Sequence, residues 1–241
     1  GAIGTATVAA ENTPIGKATK VLKGQEVFSS SKTQRSNTLP TYEKAKNILD
    51  SDIGKNANKL DYGAGQGHSE KLGFDTYEPF PVKENFTPNY VDPAKIPPNS
   101  YEGITNLNVL NVVPRQERNE IVKDIGRILK PNGTAIITTR GRDVLATKKG
   151  IKGPEDMSVI TSSNTYQKGF TQKELKNYLQ ETLGPSFEVS SIKLGPAGAK
   201  IKKLSEYKNK IIKNSKDKVT SKREGGSVVE RNPYNYTAKA I

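Results

Sequence analysis

The order of apolar and polar positions in the middle of the chain predicts strands that alternate with helices. The predicted strands are 59–62, 74–78, 86–92, 101–105, 134–139, 187–194 and 199–204. The predicted helices are 38–50, 115–130 and 170–182, in which apolar residues recur at helical spacing. Strands that alternate with helices are typical of an α/β fold built on a mostly parallel sheet.

Capping and turn residues support the predicted ends of these helices. Pro40 suits the first turn of the first helix, and Thr171 followed three residues later by Glu174 predicts a capping box. The sequence LKPNG closes the second helix. There we expect Pro131 to end the helix and Gly133 to turn the chain into the next strand.

A glycine-rich turn follows the first predicted strand, within the stretch KLDYGAGQGHSEKLGFDTYE at 59–78. Its small residues leave room for a ligand to approach the backbone; they are Gly63, Ala64, Gly65 and Gly67. Glu78 would lie at the tip of the next strand, where a carboxylate can accept hydrogen bonds from both hydroxyls of a ribose. By itself the turn is compatible with a dinucleotide, a phosphate group or no ligand at all.

The spacing of the glycines separates two kinds of nucleotide site. A dinucleotide site has the pattern G-x-G-x-x-G, which would place a glycine where this chain has His68. The pattern here is G-x-G-x-G. The segment from Gly67 to Gly73 is also short, because a parallel crossover usually takes about a dozen residues or more. We therefore expect a compressed helix at 68–72.

The stretch 59–78 resembles motif I of the class I S-adenosylmethionine-dependent methyltransferases. The segment 129–139, with L-K-P-N-G before an apolar strand, is similar to the connection between the fourth and fifth strands of that family. The resemblance implies an α/β, three-layer Rossmann-like methyltransferase fold. Its seven-stranded, mostly parallel sheet would end in an antiparallel hairpin formed by 187–194 and 199–204.

The same resemblance implies a site for S-adenosylmethionine at the carboxyl ends of the strands. Asp61 and the glycines would meet its methionine part, Glu78 its ribose, Asp92 its adenine and Asn106 the region of the sulfonium. The implied cofactor-binding residues are Asp61, Gly63, Ala64, Gly65, Gly67, Glu78, Asp92, Asn106 and Leu107. For Asp92, which precedes a proline, a plain turn residue is an equally good interpretation.

The position of other residues in the resembling stretches implies contacts with the acceptor. The implied substrate-binding residues are Asn108, Arg140 and Arg142. Many members of the family carry an acid where this chain has Asn108, so general-base chemistry by that residue is excluded. We assign no catalytic residue. Residues 36–38 would line a lid over the cofactor, and a plain packing helix with a polar cap is equally consistent with the sequence.

Composition limits the part of the chain that can form a packed core. The 241 residues are 33% hydrophobic with a mean hydropathy of -0.68, which is low for a globular domain. Part of the chain should therefore lie outside the core. We predict a poorly structured N-terminal arm at 1–38, a methyltransferase domain at 39–204 and a basic, poorly structured C-terminal tail at 205–241.

Several classes of site and location are disfavoured by residue usage. The chain has no cysteine and one histidine, His68, which excludes disulfides, thiolate catalysis and metal sites made of several histidines. We therefore expect no metal. No apolar run is long enough to cross a bilayer and no secretory signal is evident, so we expect a soluble, cytoplasmic protein without a membrane partner.

Positive charge is concentrated toward the C-terminus. The net charge is +13, and residues 199–241 hold twelve Lys and Arg against four acids, which is more than half of the excess. One interpretation is a solvated segment that aids solubility. The other is an arm for DNA, RNA or another polyanion, formed by the tail 205–223 together with the basic loop 140–152.

Together these features predict methyl transfer from S-adenosylmethionine to a nucleic acid or another anionic acceptor. An alternative of a different class is a structural or regulatory module that binds S-adenosylmethionine without turning it over. The intact glycine turn and Glu78 favour the enzyme, because an idle site has no physical need for them.

Overall fold

In the computed structural model, which describes residues 30–34 and 40–205, a central sheet is covered by helices on both faces. The helices are α1 Pro40–Ile53, α2 Arg115–Ile128 and α3 Gln172–Leu183. The strands are β1 Lys59–Tyr62, β2 Asp75–Tyr77, β3 Tyr101–Leu107, β4 Leu129–Thr139, β5 Ile151–Lys152, β6 Ser158–Ile160, β7 Tyr166–Lys168, β8 Phe187–Ile192 and β9 Ala197–Lys203. The predictions for the arm before residue 30, for the lid residues 36–38 and for the tail after residue 205 lie outside the described residues.

The described strands of the central sheet lie in the order β2-β1-β3-β4-β9-β8. β1 to β4 are mutually parallel, and Asp61 lies opposite Thr76 on one side and Thr105 on the other. β9 runs antiparallel to β4, and β8 runs antiparallel to β9. The mostly parallel sheet and the antiparallel hairpin at the end of the domain are therefore confirmed.

The strand predicted at 86–92 is reduced to a single bridge, so the sheet in the described residues has six strands rather than seven. At that bridge Tyr90 pairs in parallel with Tyr77 of β2. Beside it, the side-chain oxygen of Asn89 accepts a hydrogen bond from the N–H of Thr76 at 2.8 Å. A side chain thus takes a position on β2 that the backbone of a longer strand would use.

Two hydrophobic clusters fill the spaces between the sheet and the helices on its two faces. The cluster beneath α1 contains Tyr42, Ala45, Leu49, Phe74, Leu107, Ile136 and Leu194. The cluster on the opposite face of the sheet includes Ile121, Val122 and Ile125 of α2, Leu175 and Leu179 of α3, and strand residues such as Leu60 and Ile137. The apolar stripe that predicted each helix is the face that the helix buries.

The LKPNG segment turns the chain earlier than predicted. α2 ends at Ile128 and β4 follows directly. The ring of Pro131 disfavours helical backbone at the residue before it, Lys130, so the helix stops ahead of this pair. The left-handed position is Asn132, with φ of 65°. Gly133 serves packing instead, since a Cβ there would lie 2.8 Å from the carbonyl oxygen of Glu102.

The helix that was expected to be compressed is a short 3-10 helix, His68–Leu72. Gly67 and Gly73 flank it, with φ of 74° and 80°, which L residues with a Cβ rarely adopt. The chain therefore passes from β1 to β2 without a full crossover helix. This confirms the short connection that the sequence indicated.

Residues 140–168, which begin with the predicted basic loop 140–152, contain strands that the sequence did not reveal. β5, β6 and β7 form an antiparallel sheet of their own in the described part of the chain. Each of these strands is two or three residues long, too short for an alternating pattern to be visible. None of the helices in the described residues is long and apolar enough to cross a membrane.

Candidate functional site

The glycine turn lies at the carboxyl ends of β1 and β2, the edge at which open α/β sheets bind ligands. The N–H groups of Gly63 and Ala64 both donate to the carbonyl oxygen of Tyr77, at 2.8 and 3.0 Å. These bonds tie the start of the turn to the last residue of β2. The next residue, Glu78, is therefore held beside the glycines.

The three glycines of the G-x-G-x-G pattern have different surroundings. A Cβ on Gly63 would lie 2.5 Å from a methyl of Val109, and a Cβ on Gly67 would lie 2.3 Å from the ring of Phe86. Both glycines are thus required by packing within the chain. Gly65, with φ of 57°, meets only the side chain of Gln34, at 3.7 Å. Its backbone is the part of the turn that a ligand can approach.

Glu78 is buried, and its carboxylate is hydrogen-bonded to the turn. Oε2 accepts the N–H of Gly65 at 2.7 Å, and Oε1 accepts the N–H of Phe80 at 3.0 Å. Burial raises the pKa of the Glu78 carboxyl to about 7; the two N–H groups oppose this, and the charge of Asp61 adds to it. Each carboxylate oxygen keeps a further lone pair for a donor on a ligand.

Asp61, near the end of β1, is fully buried beside Glu78. The hydroxyl of Thr105 on β3 donates to Oδ1 at 2.8 Å. Oδ2 makes no hydrogen bond of good geometry among the described residues, although the hydroxyls of Ser69 and Tyr42 lie near the carboxylate. Burial raises the pKa of the Asp61 carboxyl to about 6, although the neighbouring hydroxyls of Ser69, Thr105 and Tyr42 oppose this shift. A buried carboxylate oxygen without a partner is costly unless a ligand supplies one.

Sequence reasoning missed several residues that surround Asp61. Tyr42 was interpreted as an apolar position of the first helix, yet burial and the charge of Asp61 raise the pKa of its hydroxyl well above the ordinary value. Thr105 was interpreted as a strand residue, and Ser69 received no role. A polar residue at a buried position of a predicted strand, such as Thr105, is the signal that could have identified this neighbourhood.

Asn106 is buried at the carboxyl end of β3 and connects it to β1. Its Nδ2 donates to the carbonyl oxygen of Tyr62 at 2.7 Å. Its Oδ1 is buried and has no partner among the described residues. The structure thus brings Asn106 to the same edge as Asp61 and Glu78.

The two residues after Asn106 point in different directions. Leu107 packs in the cluster beneath α1. Asn108 adopts a left-handed backbone with φ of 59°, and its N–H donates to the carbonyl oxygen of Thr138 at 2.9 Å. Asn108 therefore lies where the ends of β3 and β4 meet, and its predicted contact with an acceptor stays a prediction.

Asp92 has a local role in the structure. Its side chain accepts the N–H of Ala94 at 2.9 Å and caps the short 3-10 helix Pro93–Lys95. This is the turn interpretation that the following proline suggested. The predicted contact of Asp92 with adenine stays a prediction.

Arg140 and Arg142 follow the carboxyl end of β4, outside the group formed by Asp61 and Glu78. Arg140 forms an exposed ion pair with Asp143 at 2.6 Å. Arg142 is exposed. Both side chains lie on the segment that leads into the small sheet, so they stay candidates for contact with an acceptor.

Three of the buried polar atoms without a partner near this edge only accept hydrogen bonds, whereas the hydroxyl of Ser69 can donate or accept. In the described part of the chain, Asp61 Oδ2, Asn106 Oδ1 and Gln34 Oε1 are buried without a partner. A phosphate group would add negative charge next to Asp61 and Glu78, which is unfavourable. S-adenosylmethionine carries an ammonium, a sulfonium, ribose hydroxyls and an adenine amino group, so its charge and its donors fit these residues. The described residues contain no group of three or more metal-ligating side chains that could hold a metal ion.

The strand order, the turn after β1 and the terminal hairpin are those of the class I S-adenosylmethionine-dependent methyltransferase fold, which the sequence predicted. The sequence matches no protein-family model and no curated protein. Solved structures are similar at low identity. A 1,6-didemethyltoxoflavin N1-methyltransferase from Burkholderia thailandensis, solved with 1,6-didemethyltoxoflavin and S-adenosylhomocysteine, is 16% identical, with a TM-score of 0.50 over 69% of this chain and 79% of that one.

Two further solved structures have the same fold. A sugar N-methyltransferase from Streptoalloteichus is 12% identical, with a TM-score of 0.51 over 71% of this chain and 89% of that one. A protein from Pyrococcus horikoshii is 16% identical, with a TM-score of 0.52 over 74% of this chain and 97% of that one. At such identities the likeness establishes the fold of this chain.

Proposed function

We propose that this protein binds S-adenosylmethionine at the edge formed by β1, β2 and β3 and transfers its methyl group to an acceptor. The observation that carries the proposal is the buried acceptor Asp61 Oδ2, which lacks a partner in the described residues. It lies beside Glu78, whose carboxylate is bonded to the glycine turn, in a fold that S-adenosylmethionine-dependent methyltransferases use. Acceptors and negative charge at this edge match a cationic ligand that is rich in donors.

Three of the predicted cofactor residues have contacts that support a role toward the cofactor. Asp61 offers Oδ2 to the ammonium of the methionine part. Glu78 offers the free lone pairs of its carboxylate to the ribose hydroxyls, while the N–H groups of Gly65 and Phe80 keep that carboxylate in place. Asn106 offers Oδ1 near the sulfonium. The raised pKa values of Asp61 and Glu78 imply that a cationic ligand binds more tightly once both carboxyls are ionised.

S-adenosylmethionine, when bound, supplies a methyl group on a positively charged sulfur that leaves as a neutral thioether. The residues of this chain therefore need to align the acceptor and exclude water, and they need not protonate or stabilise the leaving group. Asn108, at the junction of β3 and β4, carries an amide that can orient an acceptor and cannot remove a proton. The acceptor atom must then lose its proton to another group or to solvent.

We also propose that the acceptor is anionic, with a nucleic acid as the first candidate. The support is the exposed basic side chains after β4, namely Arg142, Lys148, Lys149 and Lys152. Attraction of this kind does not depend on sequence and weakens with added salt. The basic tail 205–223, which lies outside the described residues from residue 206 onward, belongs to the same proposal.

Calorimetric titration of the full chain with S-adenosylmethionine tests the cofactor. We expect binding by the parent protein and a roughly tenfold to hundredfold loss of affinity in Glu78→Ala, the size expected for hydrogen bonds to a charged group. Glu188→Ala, which removes an exposed acid on β8, serves as the matched control and should bind like the parent. Absence of binding by the parent protein would refute the proposal.

Labelled methyl transfer tests the acceptor and separates an enzyme from a binding module. The full chain is incubated with labelled S-adenosylmethionine and, in parallel, with DNA, RNA, a protein extract and amino sugars. The sugars are included because one similar structure is a sugar N-methyltransferase. Label in DNA or RNA supports the proposed acceptor, label in another arm replaces it, and label in none favours the module that binds without transfer.

A further inference from the structure

Gln34 lies on the glycine turn although it is distant from it along the chain. Its Nε2 donates to the carbonyl oxygen of Phe80 at 2.9 Å, across 46 residues of sequence. Its Cγ and Cβ lie 3.7 and 3.9 Å from the position that a Cβ would take on Gly65. A 3-10 helix, Ser30–Thr33, comes directly before it. We call residues 30–34 the strap.

Gln34 contacts the two residues that hold the Glu78 carboxylate. Gly65 and Phe80 donate their N–H groups to the two oxygens of Glu78, at 2.7 and 3.0 Å. Gln34 packs on Gly65 and hydrogen-bonds to Phe80. The Gln34 side chain therefore lies against both residues that position the Glu78 carboxylate.

One end of this amide is not satisfied within the described chain. Gln34 Oε1 is buried and has no hydrogen-bond partner there. The bond from Nε2 to Phe80 restrains the amide, so Oε1 cannot turn away toward water. An amide oxygen only accepts hydrogen bonds, and the missing partner must be a donor. The hydroxyls of a ribose held by Glu78 are donors at this place.

We infer that Gln34 is a further cofactor-binding residue, whose Oε1 accepts a hydrogen bond from a ribose hydroxyl of the ligand that Glu78 holds. This inference rests on the proposed function. The bond joins the strap to the ligand, so that the strap lies over Gly65 most firmly when the ligand is bound. Gln34 thereby adds an acceptor from the N-terminal side of α1 to those of β1, β2 and β3.

Calorimetry with S-adenosylhomocysteine on the full chain tests this contact. We expect Gln34→Ala to bind about tenfold more weakly than the parent, as expected for one lost hydrogen bond. Gln116→Ala, an exposed glutamine on α2, is the matched control and should bind like the parent. Thermal unfolding of each variant without ligand confirms that the fold is intact.

The 2′-deoxy and 3′-deoxy analogues of S-adenosylhomocysteine supply a readout that a merely structural role of Gln34 would not change. If Oε1 accepts from one of these hydroxyls, the parent and Gln34→Ala should bind the analogue that lacks it with similar affinity. An affinity loss of the same size for all three ligands would show that Gln34 acts only through folding and would overturn the inference.

Limited proteolysis tests the contact between the strap and the ligand by a different measurement. Lys32 is exposed in the strap, and trypsin cleavage after it can be followed by mass spectrometry. Saturating S-adenosylhomocysteine should slow this cleavage in the parent and have little effect in Gln34→Ala. An equal rate with and without ligand in the parent would contradict the joining of strap and ligand.

The results also separate this inference from the proposed function. If the parent binds neither S-adenosylmethionine nor S-adenosylhomocysteine, the proposed cofactor is wrong and the inference is wrong with it. If the parent binds both and Gln34→Ala binds them equally well, the inference alone is wrong.

Discussion

The ion pair of buried Arg118 with half-buried Glu155 and the pair of buried acids Asp61 and Glu78 differ in how far their polar atoms are hydrogen-bonded within the chain. Arg118 is 2% exposed and forms a bidentate ion pair with Glu155, at 2.8 and 3.1 Å. It also donates to the carbonyl oxygens of Leu110 and Val113, each at 3.0 Å. Asp61 and Glu78, by contrast, have the same sign of charge.

Aromatic side chains add further contacts to Arg118 and Glu155. Its guanidinium lies 5.1 Å from the ring centroid of Phe170 and 5.7 Å from that of Tyr178. The hydroxyl of Tyr166, on β7, donates to Glu155. Although burial alone would raise it, the pKa of Glu155 is lowered by the hydrogen bonds and charge of Arg118. The pair attaches the small sheet to α2 and has no need of a further partner.

The comparison indicates how to separate structural from functional charges in this protein. Where every donor and acceptor is paired within the chain, the charges stabilise the fold. Where two acids of the same charge are buried together and one oxygen lacks a partner, folding alone does not account for them. The hydrogen bonding of Arg118 therefore indicates a structural role, and the incomplete hydrogen bonding of Asp61 indicates a role in binding a ligand.

The largest loss of stability is expected from breaking the ion pair between Arg118 and Glu155. Arg118→Ala leaves Glu155, which is partly buried beside Tyr166, without its counter-charge, and should lower the free energy of unfolding by about 3–5 kcal/mol. Urea denaturation followed by circular dichroism measures this loss. The double variant Arg118→Met, Glu155→Gln removes both charges and should recover much of it. A loss in Arg118→Ala no larger than about 1 kcal/mol, typical of surface ion pairs, would contradict the balanced network.

The next effect concerns the glycine turn, where shape rather than charge sets the requirement. Gly67→Ala should lower the free energy of unfolding by about 2–4 kcal/mol, because its methyl would lie 2.3 Å from the Phe86 ring and its φ is 74°. Gly73→Ala is the matched control, since its φ of 80° is similar but nothing lies within 4 Å. Equal losses in the two variants would show that the ring of Phe86 yields freely.

Glu78, buried beside Asp61, predicts an unusual dependence of stability on pH. The pKa of Glu78 is about 7 in the folded protein and near 4.5 when unfolded, so the folded state binds more protons between these values. Its contribution to stability therefore falls as pH rises through this range. Relative to the parent, Glu78→Gln should gain about 1–3 kcal/mol in free energy of unfolding between pH 5 and pH 8. Denaturation at both pH values measures the gain, with Glu188→Gln as control.

For Glu155 we predict that the contribution to stability depends on pH with the opposite sign. Its pKa is lowered in the folded state, so its contribution is present at neutral pH and is lost as pH falls below about 4.5. Glu155→Gln should therefore destabilise the protein more at pH 7 than at pH 3. If Glu78→Gln and Glu155→Gln show the same sign of pH dependence, the contrast between the two groups is wrong.

The smallest effect is expected at the exposed pair after β4. Arg140→Ala removes an ion pair with Asp143 whose partners are 32% and 51% exposed, so stability should change by about 0–1 kcal/mol. Binding to a DNA or RNA acceptor should weaken in the same variant, as measured by titration at low and high salt. Unchanged acceptor binding at low salt would remove Arg140 from the proposed acceptor surface.

Much of the fold could be predicted because its signals are local. The sequence predicted β1 with the bounds that the structure has, and Thr171 and Glu174 form the expected capping box. The apolar spacing of α2 identified the face that it buries. Such features depend on residues a few positions apart, so they are present in the sequence itself.

The site was predictable in part. Parallel strands bring their carboxyl ends to one edge, so Asp61, Glu78 and Asn106 were expected together, and their positions in the structure agree with that. Thr105, which hydrogen-bonds to Asp61 across 44 residues, carries no local signal of that role. The same is true of Phe86, whose ring is the reason that position 67 requires glycine.

The sequence by itself determined where the helices and the six strands of the central sheet lie along the chain, the glycine turn and the charges available at the sheet edge. Only the tertiary structure decided which charges are satisfied, because each partner comes from a distant part of the chain. Glu155 reaches Arg118 across 37 residues and fixes a sheet whose strands are too short to be predicted. Gln34 reaches Phe80 across 46 residues and places an acceptor on the glycine turn.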